Sequence, residues 1–203
     1  MPLLGKTKHA VVSEFRCAEI LEAARRVFAR KGFSGATMDD IAEAAGVAKG
    51  TLYLYFSSKR RVYLAALKQG FIRLIEETER NVAAAPTAAE KIRAFITTRI
   101  RDAEENRNFV RIYHAEFGNT GPPHLDKELR SLYLRQAQTL EAVLREAAVE
   151  GQIRPVRADA AAVIVYEMTR GLVMQRLLGW STATAEQDID FLFELIWKGL
   201  ANR

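Results

Sequence analysis

The sequence contains little proline, glycine or cysteine. Among 203 residues there are five prolines and twelve glycines, too few for a collagen-like, low-complexity or largely disordered chain. Because proline is the main breaker of helices, its scarcity leaves room for long ones. The single cysteine, Cys17, can form no intrachain disulfide and supplies no thiolate zinc site, which suits a reducing compartment. We therefore expect a cytoplasmic globular protein of one large domain or two small ones.

Long apolar runs are also lacking. No uncharged stretch approaches the ~20 residues needed to cross a bilayer, and charged residues interrupt the longest candidate, 158–180. The N-terminal residues contain no apolar run of the signal-peptide kind. We expect no membrane partner.

The net charge of +5 is unevenly distributed. Lys and Arg outnumber Asp and Glu by four in residues 1–60, but by only one in residues 61–203. This excess at one end permits a polyanionic partner there. A protein that coats DNA without sequence preference would instead need positive charge spread over the chain.

Apolar residues recur at helical spacing along most of the chain. The first helix is expected over 13–31, and Gly32, which follows two basic residues, should end it. Two short helices follow, the first opened by Thr37 as N-cap, and they meet at about three residues that include Gly46. Such a pair is typical of a helix-turn-helix. With the later periodic segments the sequence predicts nine helices and no convincing strand.

The stretch 37–59 combines an apolar side with groups that contact nucleic acid. The apolar residues that can pin its two helices against the first are Ile41, Ala42, Val47, Leu52 and Phe56. The residues expected to face solvent on the second short helix are Lys49, Gly50, Thr51, Tyr53 and Tyr55. A cation, hydroxyls and the backbone N–H groups of a helix start contact phosphates, and a helix of this size fits the major groove.

This stretch resembles the DNA-binding domain of TetR-type (tetracycline-repressor-like) transcriptional regulators. The matching residues are Thr37, Ile41-Ala42, Ala45-Gly46-Val47, Gly50-Thr51-Leu52-Tyr53, Tyr55-Phe56 and Lys59, with Phe28-Ala29 and Gly32-Phe33 upstream. The sequence departs from the family pattern at Ala48, where Ser is common, and at Tyr55, where His is frequent. The motif covers about a quarter of the chain, and beyond residue 60 the resemblance is architectural.

The resemblance implies an all-α, nine-helix fold. A three-helix DNA-binding domain would occupy residues 10–57, and a domain for ligand binding and dimerisation would occupy residues 58–203. The implied function is sequence-specific regulation of transcription, by a repressor that a small molecule releases from a palindromic operator. Repression is the family default and is not visible in the residues themselves.

The resemblance also assigns roles to individual residues. It implies phosphate contacts by Thr37, Thr51, Tyr55 and Lys59, and it places Lys49, Gly50 and Tyr53 nearest the bases. Alternatives remain for three of these residues. Tyr53 could belong to the core, Thr37 could act only as a helix cap, and Lys59 could belong to an ordinary solvated helix start.

The larger C-terminal part carries residues for a pocket and an interface. The candidate ligand-binding residues are Phe95, Tyr113, His114, Phe117, Tyr133, Met168 and Met174, with polar groups such as Arg99 and Gln136 interleaved. A mostly apolar cavity with few polar groups suits an apolar or aromatic effector, although any one of these aromatics could be plain core. The last helix is apolar around most of its circumference, which favours burial against a second copy through the last two helices.

Other functional classes have less support. No Ser-His-Asp order, glycine-rich phosphate loop or H-E-x-x-H motif is present, and the three histidines lie in unrelated contexts. We therefore expect no catalytic site, no metal site and no cofactor. A protein-binding scaffold stays open, but no feature of the sequence favours it.

Overall fold

A computed structural model describes residues 8–116 and 127–201. Within these ranges the chain forms nine α-helices and no strand beyond one isolated bridge between Ile153 and Ala201, so the all-α prediction is confirmed. The helices are α1 Lys8–Gly35, α2 Met38–Ala44, α3 Lys49–Tyr55, α4 Lys59–Ala84, α5 Ala88–Glu105, α6 Arg107–Glu116, α7 Lys127–Val149, α8 Ala158–Leu178 and α9 Ala185–Leu200. Of these described helices, none is long and apolar enough to cross a membrane.

Two glycines set the course of the N-terminal helices. Helix α1 starts five residues before the predicted position, and it kinks at Gly32, where φ is +72°. Gly46 has a φ of +64° and forms the turn between α2 and α3. Glycine adopts positive φ without the steric penalty of a Cβ, so both residues allow the chain to change direction within a few positions.

A first group of apolar side chains holds α1, α2 and α3 together and is called here the N-terminal cluster. It consists of Ile20, Leu21, Ala24, Val27, Phe28, Ala36, Met38, Ile41, Ala42, Leu52, Val62, Tyr63, Ala66, Leu67 and Phe109. The cluster therefore extends beyond the helix-turn-helix. It takes in four residues of the first half of α4 and, from α6, Phe109.

A second group, called here the bundle cluster, lies among α4, α5, α7, α8 and α9. Its fully buried members include Ile92, Phe95, Ile96, Ile100 and Leu140. Helices α5 and α7 run antiparallel, since Lys91 near the start of α5 pairs with Glu146 near the end of α7 at 3.3 Å. Helix α4 contributes to both clusters and so connects the two parts of the molecule.

Tyr63 of α4 joins the N-terminal helices to α6. Its side chain is fully buried, and its hydroxyl donates a hydrogen bond of 2.9 Å to the backbone oxygen of Phe109. Its ring packs edge-on against Phe28 at 5.2 Å and Phe33 at 5.7 Å, and lies 4.9 Å from the ring of Phe109. Aromatic pairs of this kind stabilise a core beyond the area they bury. The arrangement fixes α1, α4 and α6 relative to one another.

We expect Tyr63→Phe to lower the free energy of unfolding by about 1–2 kcal/mol, because a buried hydrogen bond is lost while the ring contacts remain. The measurement is the melting temperature at one fixed protein concentration. Tyr53→Phe is the matched control, because the Tyr53 side chain is exposed. An equal effect of the two substitutions would show that the Tyr63 hydroxyl contributes nothing specific.

Candidate nucleic-acid interface

The short helix α3 presents one face to solvent. Leu52 is fully buried in the N-terminal cluster and anchors the helix, while Tyr53 is 47% exposed and Leu54 is 85% exposed. Lys49 and Gly50, at the start of α3, are also exposed. Tyr53 is therefore not a core residue, and it shares the exposed side of α3 with Lys49 and Gly50. These are the three residues predicted to lie nearest the bases.

The residues predicted to contact phosphate surround this face in different environments. Thr37 is exposed at the start of α2, whereas Thr51 and Tyr55 are half-buried. Tyr55 packs against the N-terminal cluster, which leaves only part of its side chain accessible. The structure thus brings the predicted residues to one region of the N-terminal part, with unequal access to solvent.

Thr37 forms a reciprocal capping box with Asp40. The Thr37 hydroxyl accepts from the Asp40 backbone N–H at 3.1 Å, and the Asp40 carboxylate accepts from the Thr37 backbone N–H at 3.0 Å. This pattern satisfies two N–H groups that a helix start otherwise leaves without partners. The cap uses the Thr37 hydroxyl as an acceptor, whereas a phosphate contact would use its O–H as a donor, so the two roles are compatible.

Ion pairs connect α2 to the helices on either side. Lys31 of α1 contacts Asp40 at 2.7 Å, and Lys49 of α3 contacts Asp39 at 2.8 Å. The hydrogen bond from Lys31, together with those from Thr37, lowers the pKa of the Asp40 carboxyl to about 2. Exposed ion pairs contribute little stability, so their main effect is on how α2 and α3 are oriented.

Lys59 is already engaged by the protein. Its ammonium donates to the backbone oxygen of Ala36 at 2.7 Å and lies 4.7 Å from the centre of the Phe33 ring. A longer contact of 3.4 Å reaches the backbone oxygen of Ser34. Lys59 therefore ties the start of α4 to the end of α1. An ammonium has three donors, so a phosphate contact by Lys59 would use the one that remains.

The predicted ligand-binding residues are only partly brought together. Phe95 is fully buried in the bundle cluster, and Met168 packs against that cluster. Met174 is half-buried and shares the helical spacing of the more exposed Gly171 and Leu178 on α8. Phe117 lies outside the described residues, and so do the side chains of Tyr113, His114 and Tyr133.

A joint between α1 and α5–α6, centred on Arg25, was not predicted from the sequence. The Arg25 guanidinium hydrogen-bonds to the Asn106 side-chain oxygen and lies 4.9 Å from the centre of the Phe109 ring. Asn106 in turn donates to the Asp102 carboxylate at 2.9 Å. Gly70 of α4 makes room for this side chain, because a Cβ at position 70 would overlap Nη1 of Arg25.

The joint borders a polar cleft of about 650 Å³ that is lined by α1, α4 and α5–α6. Burial raises the pKa of the Asp102 carboxyl to about 6, although the positive charges of Arg25 and Arg99 oppose that rise. Since Arg25 and Asn106 are 81 positions apart, no local spacing in the sequence could have indicated this contact.

Comparison with known families agrees with this architecture. The model of the bacterial regulatory proteins of the tetR family matches residues 20–66, which span most of α1 through the start of α4. The model of the tetracyclin repressor-like C-terminal domain matches residues 85–174, which span α5 to most of α8.

Individual relatives also match. The chain is 23% identical over 189 residues to a fatty acid metabolism regulator protein of Bacillus subtilis, with 91% of this chain and 95% of the relative covered. The transcriptional repressor AcnR of Corynebacterium diphtheriae is 35% identical over 81 residues, about 40% of each chain. The structure of the B. subtilis regulator FadR in complex with stearoyl-CoA superposes with a TM-score of 0.73 at 22% identity, covering 88% of this chain and 96% of that one.

The depressed pKa of Asp40 predicts a pH-dependent contribution to stability. A carboxyl whose pKa falls from about 3.8 to about 2 on folding stabilises the fold above pH 4 and loses that effect as the pH falls toward 2. We therefore expect the melting temperature of wild type to exceed that of Asp40→Asn near pH 6. The difference should shrink steadily between pH 4 and pH 2.

The control for this titration is Glu43→Gln, which neutralises an exposed carboxylate on the same helix. The melting temperature of Glu43→Gln should differ little from that of wild type at pH 6. A gap between wild type and Asp40→Asn that stays constant down to pH 2 would contradict the role of the ionised Asp40 carboxylate.

Proposed function

Since the chain belongs to the TetR family of bacterial transcriptional regulators, we propose that it holds a palindromic DNA operator as a homodimer and releases it when an acyl effector binds. The observation that carries the DNA-binding part is the exposed face of α3, with Lys49, Gly50 and Tyr53 at the start and middle of one helix. In the proposed complex this face enters the major groove. Thr37, Thr51, Tyr55 and Lys59 then contact phosphates on either side. Residues 10–57 form the DNA-binding part and residues 58–203 the effector-binding and dimerisation part.

Exposed apolar side chains on α8 and α9 support the dimer. Phe191 and Leu195, one turn apart on α9, are 63% and 52% exposed, and Ile164 on α8 is 58% exposed. The opposite side of α9 is buried within the chain through Ile189, Leu192 and Ile196. The predicted all-round burial of α9 therefore needs a second copy, and a two-fold pair suits a palindrome whose half-sites are about 34 Å apart.

The relatives support an effector with an acyl chain. A fatty acid metabolism regulator aligns over most of the chain, and a regulator of the same fold was crystallised with stearoyl-CoA. The bundle cluster supplies the apolar surroundings that such a chain requires. The effector lowers operator affinity because it prefers a conformation that fits the operator poorly.

The conformational change reaches the DNA-binding helices through two connections. Helix α4 runs from the N-terminal cluster into the bundle cluster, and the Arg25–Asn106 contact links α1 directly to the end of α5. A shift of α5 or α6 therefore displaces α1 as well as α4. In the dimer, α3 of each subunit moves with them, and the distance between the two α3 helices changes.

The proposed function is tested by operator selection from random duplex DNA with the full-length protein. We expect a palindrome with two half-sites, and release of that site by stearoyl-CoA but not by coenzyme A. Lys49→Gln should weaken binding to the selected site by roughly tenfold or more, the size of a lost base contact. Arg145→Gln is the matched control, since Arg145 is likewise an exposed cation beside an acidic side chain.

If Lys49→Gln and Arg145→Gln lose the same amount of affinity for the selected site, the binding reflects non-specific attraction to phosphates. Enrichment of no sequence at low and moderate salt would contradict the operator-binding proposal. Activation of a reporter placed behind the selected site would contradict repression alone.

Gly70→Ala tests the second connection. The added Cβ displaces Arg25 from Asn106, while alanine favours the helical conformation of α4, so stability should be unchanged or higher. We expect operator affinity without effector to be retained, and the loss of affinity caused by stearoyl-CoA to shrink by about threefold or more. Arg145→Gln, which alters an exposed side chain outside this contact, should respond like wild type. A full response in Gly70→Ala would exclude the Arg25 contact as a route of transmission.

A further inference from the structure

Arg99 is a buried cation in the middle of the bundle. Only 7% of the residue is exposed, and its Nε and Nη1 are buried with no hydrogen-bond partner among the described residues. The guanidinium carbon lies 4.5 Å from the centre of the Tyr166 ring and 5.5 Å from that of Phe95. Both rings belong to the bundle cluster, so the charge sits between aromatic faces at the core of the effector-binding part.

The aromatic rings alone do not offset the cost of burying the Arg99 charge. Attraction to a ring face partly offsets the loss of water, but it leaves N–H groups of the guanidinium without acceptors. A buried cation normally has a carboxylate or carbonyl oxygen beside it. Arg176, also largely buried, binds Asp188 at 2.5 Å and contacts Glu104 as well. Among the described residues, no carboxylate or carbonyl oxygen accepts from the orphaned N–H groups of Arg99.

A second buried polar group lies at the same level. Gln136 of α7 is 3% exposed, and its side-chain oxygen has no hydrogen-bond partner within the described structure. The antiparallel register that pairs Lys91 with Glu146 brings Gln136 to within a turn of Arg99 along the bundle. Two neighbouring helices thus carry unsatisfied polar groups at one depth inside an otherwise apolar cluster.

We propose that Arg99 binds an anionic headgroup, a carboxylate or a phosphate, of an effector whose apolar body lies in the bundle cluster. A guanidinium recognises both anions through paired N–H donors, and the low-polarity surroundings strengthen that contact. The Gln136 side-chain oxygen is itself an acceptor, so it can take an N–H of Arg99 that the anion leaves unused, but it does not contact the anion. This inference rests on the proposed effector response and refines it. The effector then binds with a free anionic end inward, next to Arg99, as a fatty acid can and a CoA thioester, whose acyl end is uncharged, cannot.

The first measurement compares three molecules with the same alkyl chain. Isothermal titration calorimetry of the full-length protein is carried out with dodecanoate, dodecyl phosphate and dodecan-1-ol. We expect at least one anion to bind roughly tenfold or more tighter than the alcohol, the size of a charge-assisted hydrogen bond. The order of dodecanoate and dodecyl phosphate identifies the headgroup. A wild-type protein that binds the alcohol as tightly as both anions would overturn the proposal.

Variants at position 99 separate binding from a structural role. Arg99→Met keeps an unbranched apolar stem without the charge, so it should remove the preference for the anion and leave binding of the alcohol unchanged. Its melting temperature without ligand should be equal to or above that of wild type, because an unpartnered buried charge is gone. Arg99→Lys should keep part of the preference. Arg101→Met is the control, because Arg101 is exposed on the same helix and pairs with Glu186 at 2.9 Å.

An anion preference that survives in Arg99→Met would overturn the assignment to this residue. If Arg99→Met does not fold, the proposal is still tested by two results: the preference of wild type for an anion over the alcohol, and the weakening of that preference in Arg99→Lys. Release of the operator by stearoyl-CoA without binding of any of the three probes would overturn this inference and leave the proposed function standing. An anion preference lost in Arg99→Met, with no operator release by any ligand, would support Arg99 and contradict the effector response.

Discussion

The hydrogen bond from the Tyr63 hydroxyl to the Phe109 backbone fixes α6 against α4, and it constrains the two parts of the molecule together with α4 itself and the Arg25–Asn106 contact. It lies inside a ring cluster formed by α1, α4 and α6, and no water competes for it because Tyr63 is fully buried. A closely packed interior resists gradual deformation. Movement of α6 must therefore carry α1 and α4 with it, or else break this contact. The position of α3 follows from that constraint, because Leu52 is buried in the same N-terminal cluster as residues of α1, α2 and α4.

The partners of positively charged side chains differ at three depths of the molecule. At the surface, Lys31 and Lys49 pair with carboxylates of α2 in exposed positions, where solvent and salt weaken the attraction and a polyanion can compete for the cations. At the joint, Arg25 is held by Asn106, a neutral side chain. In the core, Arg99 has aromatic faces and unused N–H groups. Arg99 thus differs from Arg176, which is also largely buried but has the carboxylates of Asp188 and Glu104 as partners.

Structural features that depend on local spacing could be predicted from the sequence. Apolar periodicity predicted the nine helices, and the residues around Gly46 predicted the turn between α2 and α3, because both follow from neighbours within a few positions. Helix ends were less certain, as the early start of α1 shows. Contacts between distant positions, such as Arg25 with Asn106, could not be read in this way. The sequence placed Arg99 among the aromatic residues of the larger domain, but only the packing of α5 against α8 shows that its charge is buried without a partner.

Asp102 connects the proposed effector site to the joint. It lies about one turn beyond Arg99 on α5, it accepts a hydrogen bond from Asn106, and the charges of Arg99 and Arg25 both oppose the rise of its pKa. An anion bound at Arg99 would cancel one of these two positive charges at close range. The pKa of the Asp102 carboxyl, already raised to about 6 by burial, would then rise further. A larger fraction of the carboxyl would be protonated at neutral pH. A neutral carboxyl is a weaker acceptor for Asn106 than a carboxylate, so the residue that holds Arg25 would be held less firmly. The charge of the effector could therefore loosen the α1 contact even where the helices shift very little.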